Sequence, residues 1–249
     1  MGDMTEPTIT PLEQQQLRVA DERHDTFWHR VRFRLVAKAA ADARATAVLD
    51  VGAGSGQLGT WLATHDVPLT YRFEESSPVL DDALARRFGV EGRHDSAAPI
   101  AQGTLVTLLD VIEHVADDVA LLTDLRSRMS PGDRLFVTVP AFQWAFTSWD
   151  EALGHHRRYS TRQLRERAGA AGLDTVSTGY LFPELLPLIA VRKLRRAPRE
   201  HADFPDLPRA VDVAAEWWSR GTAALRRWMP AGTSACAVLQ VPGDQEFPG

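Results

Sequence analysis

Short apolar runs alternate with helical patterns along the middle of the chain, and this alternation constrains the fold more than any other feature. The runs at residues 46–51, 69–73, 104–109 and 134–139 each lead through a polar turn into a segment whose apolar residues have helical spacing. Strands separated by helices pair in parallel and are covered on both faces. We therefore expect an α/β fold with a mostly parallel sheet between helices.

Two further apolar runs, at residues 174–180 and 233–241, and a short segment at residues 90–93 complete a predicted sheet of seven strands. A long insertion precedes the last strand, which we expect to run antiparallel to its neighbours. We predict an N-terminal helical cap at residues 1–41 and a main domain at 42–249, with a helical insertion at about 181–232. Trp217 and Trp218 recur with Trp228 on one side of a helix in this insertion, a pattern that predicts core packing there.

A glycine-rich turn, Asp50-Val-Gly-Ala-Gly-Ser-Gly56, joins the first strand to a helix. Glycines allow a close approach of the backbone to a ligand. A dinucleotide-binding turn that starts at Gly52 would need a third glycine at Gln57, and a phosphate-binding loop would need Gly-Lys-Ser or Gly-Lys-Thr. The negative charge of Asp50 is unfavourable beside a pyrophosphate and favourable beside an ammonium group. The turn therefore indicates a ligand that carries an ammonium group.

This turn resembles the first motif of class I S-adenosylmethionine-dependent methyltransferases. Leu109-Asp-Val-Ile-Glu-His-Val115 is similar to the ubiquinone-methyltransferase-like branch, and Gly154-His-His-Arg-Arg-Tyr159 to a bacterial small-molecule subgroup. The resemblance covers roughly residues 46–180. It implies a Rossmann-like fold, S-adenosylmethionine as cofactor, and methyl transfer to a hydroxyl or amine of a small-molecule acceptor.

The resemblance also implies site residues. The expected cofactor-binding residues are Asp50, Gly52, Ala53, Gly54, Ser55, Gly56, Glu74, Asp95 and Asp110. Glu74 continues the alternation of its strand and is preferred to Glu75 as the acceptor of the ribose hydroxyls. On the acceptor side, His114 follows the strand at 104–109, while His156 and Tyr159 lie in a long loop at 141–160. These three are the candidate catalytic residues, as a base or as groups that orient the acceptor.

We expect no metal, because the spacing of Glu113, His114, His155 and His156 fits no compact metal motif. The net charge of −5 and the lack of an Asn/Asp-Pro-Pro-aromatic motif favour a small-molecule acceptor over nucleic acid. The sequence has a single cysteine and no apolar run of the roughly 20 residues that cross a bilayer, so we expect a cytoplasmic protein without an integral membrane segment. A homodimer contact is one interpretation of residues 182–191.

Three alternatives stay open from the sequence. A nicotinamide-dependent oxidoreductase has a similar fold, although Asp50 and Gln57 disfavour it. A scaffold that binds S-adenosylmethionine without catalysis is the second. The third is an enzyme that keeps the cofactor for cyclisation or another reaction without methyl transfer.

Overall fold

Six strands form one mixed sheet in the computed structural model, which describes residues 9–22, 26–195 and 207–243. The strands are Ala47–Val51 (β1), Thr70–Glu74 (β2), Thr104–Leu109 (β3), Arg134–Pro140 (β4), Asp174–Leu181 (β5) and Ser234–Gln240 (β6). Their order is β2-β1-β3-β4-β6-β5. β1 to β4 pair in parallel, and β6 runs antiparallel to both β4 and β5. The expected parallel sheet with an antiparallel last strand is confirmed.

The expected seventh strand is absent from the described residues. Val90–Gly92 forms a single 3₁₀ turn, and only Arg93 pairs with Phe73 in an isolated parallel bridge. The segment has one apolar side chain, Val90, and that side chain is 71% exposed. A strand at this edge would have nothing to bury, so the prediction of seven strands was wrong by one.

Nine helices lie in the described residues. They are Pro11–Glu22 (α1), Phe27–Ala43 (α2), Gln57–Thr64 (α3), Pro78–Phe88 (α4), Asp118–Arg128 (α5), Ser148–Ala152 (α6), Thr161–Ala170 (α7), Leu186–Arg195 (α8) and Arg209–Ala224 (α9). Capping residues set several of these boundaries. Ser160 and Gln163 form the reciprocal capping box at the start of α7. Ser77 accepts from the backbone N–H of Leu80 at the start of α4, directly before Pro78.

Both faces of the sheet are buried, as the apolar runs predict. On one face, strand residues such as Leu49 and Leu108 pack with Leu122 of α5 and Leu164 of α7. On the other face lie two further helices, and the packed residues there include Val48, Leu105, Val31, Val36, Leu58 and Leu62. No described helix has the length and apolar character needed to span a membrane. This sandwich places the residues that follow β1, β3 and β4 at one end of the sheet, where ligands of open α/β sheets bind.

The insertion between β5 and β6 contains α8 and α9, while residues 196–206 lie outside the described part of the chain. Phe182, at the start of the insertion, is buried against the helices that pack with β1. Trp217, Trp218 and Trp228 are instead 67%, 66% and 84% exposed. The prediction that they pack in the core was wrong, because helical spacing identifies a common face and not the surface which that face meets.

Candidate active site

The glycine turn adopts the conformation that its composition favours. Gly52, Gly54 and Gly56 have φ of 70°, 54° and 68°, in the left-handed region that other residues rarely occupy. A Cβ atom at Gly56 would lie 2.6 Å from Leu84 Cδ2 of α4. The turn therefore packs against α4 on one side, and α3 begins directly after it in the chain.

Two side chains accept hydrogen bonds from the backbone of this turn. Glu75 Oε2 accepts from the N–H of Gly54 at 2.8 Å, and Gln16 Oε1 of α1 accepts from the N–H of Ser55 at 3.0 Å. Sequence reasoning did not select Gln16, because nothing in the sequence ties a residue of α1 to a turn almost forty positions later. The predicted cofactor residues Gly52, Ala53, Gly54, Ser55 and Gly56 thus lie beneath α1 and beside Glu75.

Glu74, the predicted ribose acceptor, is held in a different arrangement from Glu75. Glu74 is 8% exposed, and its carboxylate pairs with Arg128 of α5. His94 Nδ1 lies 2.9 Å from Oε1 of the same carboxylate. Both of its oxygens therefore have cationic or polar partners within the protein. The geometry favours Glu75, the alternative acid, as the one that faces the glycine turn.

Asp95 and Asp110 lie at two different places. Asp95 is exposed and accepts from the backbone N–H of Ala97 at 2.9 Å, which closes a local turn. Asp110 comes directly after β3 with φ of 58°, and its Oδ2 lies 2.7 Å from Arg32 Nη1 of α2. Thr138 Oγ1 of β4 donates to the other oxygen of Asp110 at 3.4 Å. The structure thus places Asp110 at the sheet end and Asp95 in a surface turn.

Asp50 is buried at the end of β1 with two hydroxyl donors. Thr107 Oγ1 donates to its carboxylate at 2.8 Å and Tyr71 Oη at 3.0 Å. Burial raises the pKa of Asp50 to about 6, against the opposing effect of the two hydrogen bonds. The carboxylate is therefore positioned by β2 and β3 behind the glycine turn.

Tyr159 and His156 do not converge on the sheet end in the manner predicted. Tyr159 is 1% exposed, and its hydroxyl donates to Asp118 Oδ2 at 2.7 Å and to the backbone oxygen of Ile112 at 3.2 Å. Burial, together with the Asp118 carboxylate, raises the pKa of Tyr159. The His156 side chain is exposed, and its backbone N–H donates to the backbone oxygen of Glu113 at 2.7 Å. The Tyr159 hydroxyl is thus engaged within the protein, and the catalytic roles of His156 and Tyr159 stay predictions.

His114 meets two residues that the predicted catalytic and cofactor-binding residues do not include, Glu113 and His155. The His114 and His155 rings meet edge to face with centroids 4.5 Å apart. Glu113 is fully buried, and burial raises the pKa of its carboxyl well above the usual range. Burial and the nearby His155 lower the pKa of His114 to about 4. Adjacent acid and histidine residues after β3 were visible in the sequence, but their approach to His155 depends on how the loop folds.

The loop at 141–160 is anchored at several points. Asp150 is fully buried and pairs with Arg158 through Nε–Oδ1 at 2.8 Å and Nη2–Oδ2 at 3.0 Å. The N–H of Phe142 donates to the backbone oxygen of Tyr159 at 2.9 Å, which holds the two ends of the loop together. The loop is thus a fixed wall beside the end of β3 and β4.

A family model described as a methyltransferase domain matches residues 21–178, which is more than half of the chain. The chain belongs to the class I S-adenosylmethionine-dependent methyltransferases. The methyltransferase therefore uses S-adenosylmethionine as its cofactor, and the glycine turn is the part of the structure that corresponds to the first motif of the class. No curated protein sequence matches this methyltransferase.

Several solved structures share the fold of this methyltransferase. The methyltransferase in a complex with the Haloferax volcanii Trm112 activator is 17% identical, has a TM-score of 0.58, and matches over 94% of this chain and 98% of that one. The [4+2]-cyclase SpnF is 15% identical with a TM-score of 0.56, over 94% of both chains. Haemonchus contortus phosphoethanolamine N-methyltransferase 2, solved with S-adenosylmethionine, is 14% identical with a TM-score of 0.50, over 80% of this chain and 49% of that one. These likenesses concern the fold.

Proposed function

We propose that this methyltransferase transfers the methyl group of S-adenosylmethionine to a hydroxyl or amine of a small molecule. The observation that carries the proposal is the placement of Glu75 against the glycine turn, with Oε2 2.8 Å from the Gly54 nitrogen. A carboxylate beside a turn of positive-φ glycines can accept the two ribose hydroxyls, as an acid does in dinucleotide-binding folds. When bound, the cofactor supplies an electrophilic methyl on its sulfonium.

The turn fits the amino-acid end of the cofactor as well. A Cβ atom at Gly54 would lie 3.0 Å from Gln16 Oε1, so only glycine lets a neighbouring group come this close to the backbone of the turn. The Ser55 N–H, which now donates to Gln16, is a donor for a carboxylate. Asp50 is buried behind the turn and hydrogen-bonded to Thr107 and Tyr71, and its negative charge favours a ligand that carries an ammonium group. In this proposal Asp95 shapes its surface turn and does not contact the cofactor. Asp110, at the end of β3, lies toward the acceptor.

The charge balance supports a small molecule over a nucleic acid. The chain has a net charge of −5, and Arg32 and Arg158 at the acceptor side already pair with Asp110 and Asp150. Binding of a phosphate backbone depends on cationic side chains. Methyl transfer mainly requires that the acceptor atom be aligned with the methyl group. His114, at the same end of the sheet, is the candidate to contact the acceptor.

Two adjacent variants test the cofactor part of the proposal. Glu75→Gln removes the charged acceptor of the ribose hydroxyls, so we expect S-adenosylhomocysteine to bind roughly 10- to 100-fold more weakly, equivalent to about 1.5–3 kcal/mol. Glu74→Gln is the matched control. It weakens the pairing with Arg128 and should lower thermal stability while leaving affinity within about threefold. A larger loss of affinity in Glu74→Gln than in Glu75→Gln would identify Glu74 as the acceptor of the ribose hydroxyls, as the alternation of its strand predicts.

A reaction without methyl transfer is the second candidate, because a [4+2]-cyclase shares the fold over 94% of both chains. Transfer of a labelled methyl group from S-adenosylmethionine to phenolic and amine acceptors distinguishes the two. Labelled product together with S-adenosylhomocysteine supports the proposal. Conversion of an acceptor while the cofactor stays intact would favour the second candidate, and tight binding with neither outcome would favour a scaffold.

A further inference from the structure

We propose that Glu113, His114 and His155 form a site for a divalent first-row transition-metal ion at the acceptor side of the sheet. Glu113 and His114 lie in the 3₁₀ turn after β3, and His155 comes from the anchored loop after β4. One ligand atom from each residue lies within 4.8 Å of those of the other two. Two imidazole nitrogens and a carboxylate are a ligand set typical of zinc and related ions.

The Glu113 carboxylate is the observation that points to a ligand. The residue is fully buried, and neither carboxylate oxygen has a hydrogen-bond partner in the described part of the chain. Buried carboxylates are ordinarily hydrogen-bonded, paired with a cation or bound to a metal. Arg32 and Arg158 act on Glu113 only at longer range, because Arg32 pairs with Asp110 and Arg158 with Asp150. A bound cation would satisfy these oxygens.

His155 is oriented by a second hydrogen bond. Its Nδ1 lies 2.9 Å from Asp150 Oδ1, which leaves Nε2 as its ligand atom. The His114 ring lies edge to face against that of His155, with centroids 4.5 Å apart. Outer partners such as Asp150 fix the tautomer and direction of metal-bound histidines. Asp150 is in turn fixed by Arg158, so the loop holds the ligand rather than merely bringing it near.

Binding requires a small contraction of the cluster. Metal–ligand bonds of about 2.1 Å at tetrahedral angles place ligand atoms about 3.4 Å apart. Side-chain rotations that move the ligand atoms by about an ångström therefore bring them to bonding distance of one ion. Three protein ligands leave at least one position for water or substrate. This step rests on the proposed function: the open position would take the oxygen or nitrogen atom of the acceptor. The mixed nitrogen and oxygen set favours a transition metal over Mg²⁺ or Ca²⁺, which prefer oxygen ligands.

Metal titration of the full-length protein tests the site without cofactor or acceptor. Protein stripped with a chelator is titrated with Zn²⁺ by calorimetry and with Co²⁺ by visible spectroscopy, with Mg²⁺ as comparison. We expect one Zn²⁺ per chain, a Co²⁺ spectrum that shows histidine ligation, and binding at least about 100-fold weaker for Mg²⁺. Absence of stoichiometric Zn²⁺ and Co²⁺ binding would overturn the proposal.

Variants assign the ligands. Glu113→Gln retains the shape of the side chain and should weaken Zn²⁺ binding at least about 100-fold while the metal-free protein keeps or raises its melting temperature. His155→Ala should also lose the Co²⁺ spectrum. His156→Ala changes an adjacent, exposed histidine and should leave Zn²⁺ affinity within about threefold. Equal effects in all three variants, or unchanged binding in Glu113→Gln, would place the metal elsewhere and reject this site.

Failure of this proposal and of the proposed function can be told apart. S-adenosylhomocysteine binding is measured on the same metal-free preparations. Normal cofactor binding without metal binding rejects the metal site and leaves the methyltransferase proposal in place. Metal binding in a protein that transfers no methyl group retains the site and rejects its role toward the acceptor.

Discussion

Asp50 shows how one buried side chain links the cofactor turn to pH. Its pKa in the folded protein is raised to about 6, above the value near 3.8 of an unfolded chain. The favourable contribution of protonated Asp50 is complete below about pH 3.8 and is lost as pH rises through 6. Two pKa units correspond to at most about 3 kcal/mol.

We therefore predict that Asp50→Asn changes stability in a pH-dependent way. The free energy of unfolding of the variant, relative to the natural chain, should increase between pH 4 and pH 7 by up to about 3 kcal/mol. Urea unfolding of the ligand-free protein at pH 4, 5, 6 and 7 measures this difference. A difference that stays constant over this range would show that Asp50 does not titrate as its burial requires.

The sequence predicted which segments carry the site more accurately than which side chain in each segment faces it. The glycine turn was predictable because positive φ requires glycine there. Glu74 and Glu75 were not separable, since the choice depends on whether Arg128 of α5 reaches the strand end, a contact 54 positions away. His155 and His156 differ by one position in a loop with no regular period. Their orientation follows from Asp150, which binds His155 only after the loop has folded.

The helix α1 is positioned by polar contacts with the cofactor side of the sheet. Gln16 accepts from the Ser55 N–H at 3.0 Å, and Glu13 accepts from the Ser77 hydroxyl at the start of α4. Hydrogen bonds from the side chains lower the pKa of Glu13, first among them that of Ser77. In this position α1 covers the turn that must admit the cofactor, so we infer that it moves when the cofactor binds.

Hydrogen exchange provides a test of this placement. Gln16→Ala removes the acceptor of the Ser55 amide, so exchange at Ser55 should become at least several-fold faster. The Gly56 amide donates to the backbone oxygen of Ala53 at 2.9 Å and serves as the internal control, with little change expected. Equal acceleration at both amides would indicate that the turn itself loosened. No change at Ser55 would place α1 elsewhere in solution.

Among the elements, those with strong periodicity and clear boundaries were predictable. The capping box at Ser160 predicted the start of α7 because it satisfies backbone groups locally, and Gly89 predicted the end of α4 because it takes a positive φ of 83°. The segment at 90–93 failed because a strand at a sheet edge needs a neighbour to pair with and a surface to bury, and neither is local information. The predicted helical cap at residues 1–41 contains two helices, α1 and α2, and Thr26 takes the extended conformation directly before α2.

Across the chain as a whole, the two buried faces of the sheet were predictable because continuous apolar strands require covering on both sides. The packing of α2 against α9 was not predictable. The N–H of Phe27 donates to Asp212 Oδ1 at 3.0 Å, and Arg30 of α2 pairs with Asp212 and Glu216 of α9. These partners are more than 180 positions apart, and single-sequence patterns contain no information at that distance. Whether residues 1–41 act as a separate cap stays a prediction, which the unfolding behaviour can test.

Arg30 joins α2 to α9, so its removal should affect the entire protein. Its side chain is 15% exposed and lies between Asp212 and Glu216, which are 18% and 14% exposed. Arg30→Ala removes the cation that pairs with Asp212 and leaves Glu216 paired with Arg34 at 3.3 Å, and we expect the free energy of unfolding to fall by about 2–3 kcal/mol. Val31 and Val36 of α2 pack in the same core as Val48 and Leu105, so one cooperative transition should shift as a unit.

Lys38→Ala is the matched control on the same helix. Lys38 pairs with Asp42 at 3.0 Å, but both side chains are more than half exposed, so its loss should cost less than about 0.5 kcal/mol. Calorimetry combined with circular dichroism of both variants measures the transitions. A separate early transition in Arg30→Ala, with the main one unchanged, would mean that α2 unfolds independently of the sheet. One shifted transition would make α2 and α9 part of the same folding unit as the cofactor turn.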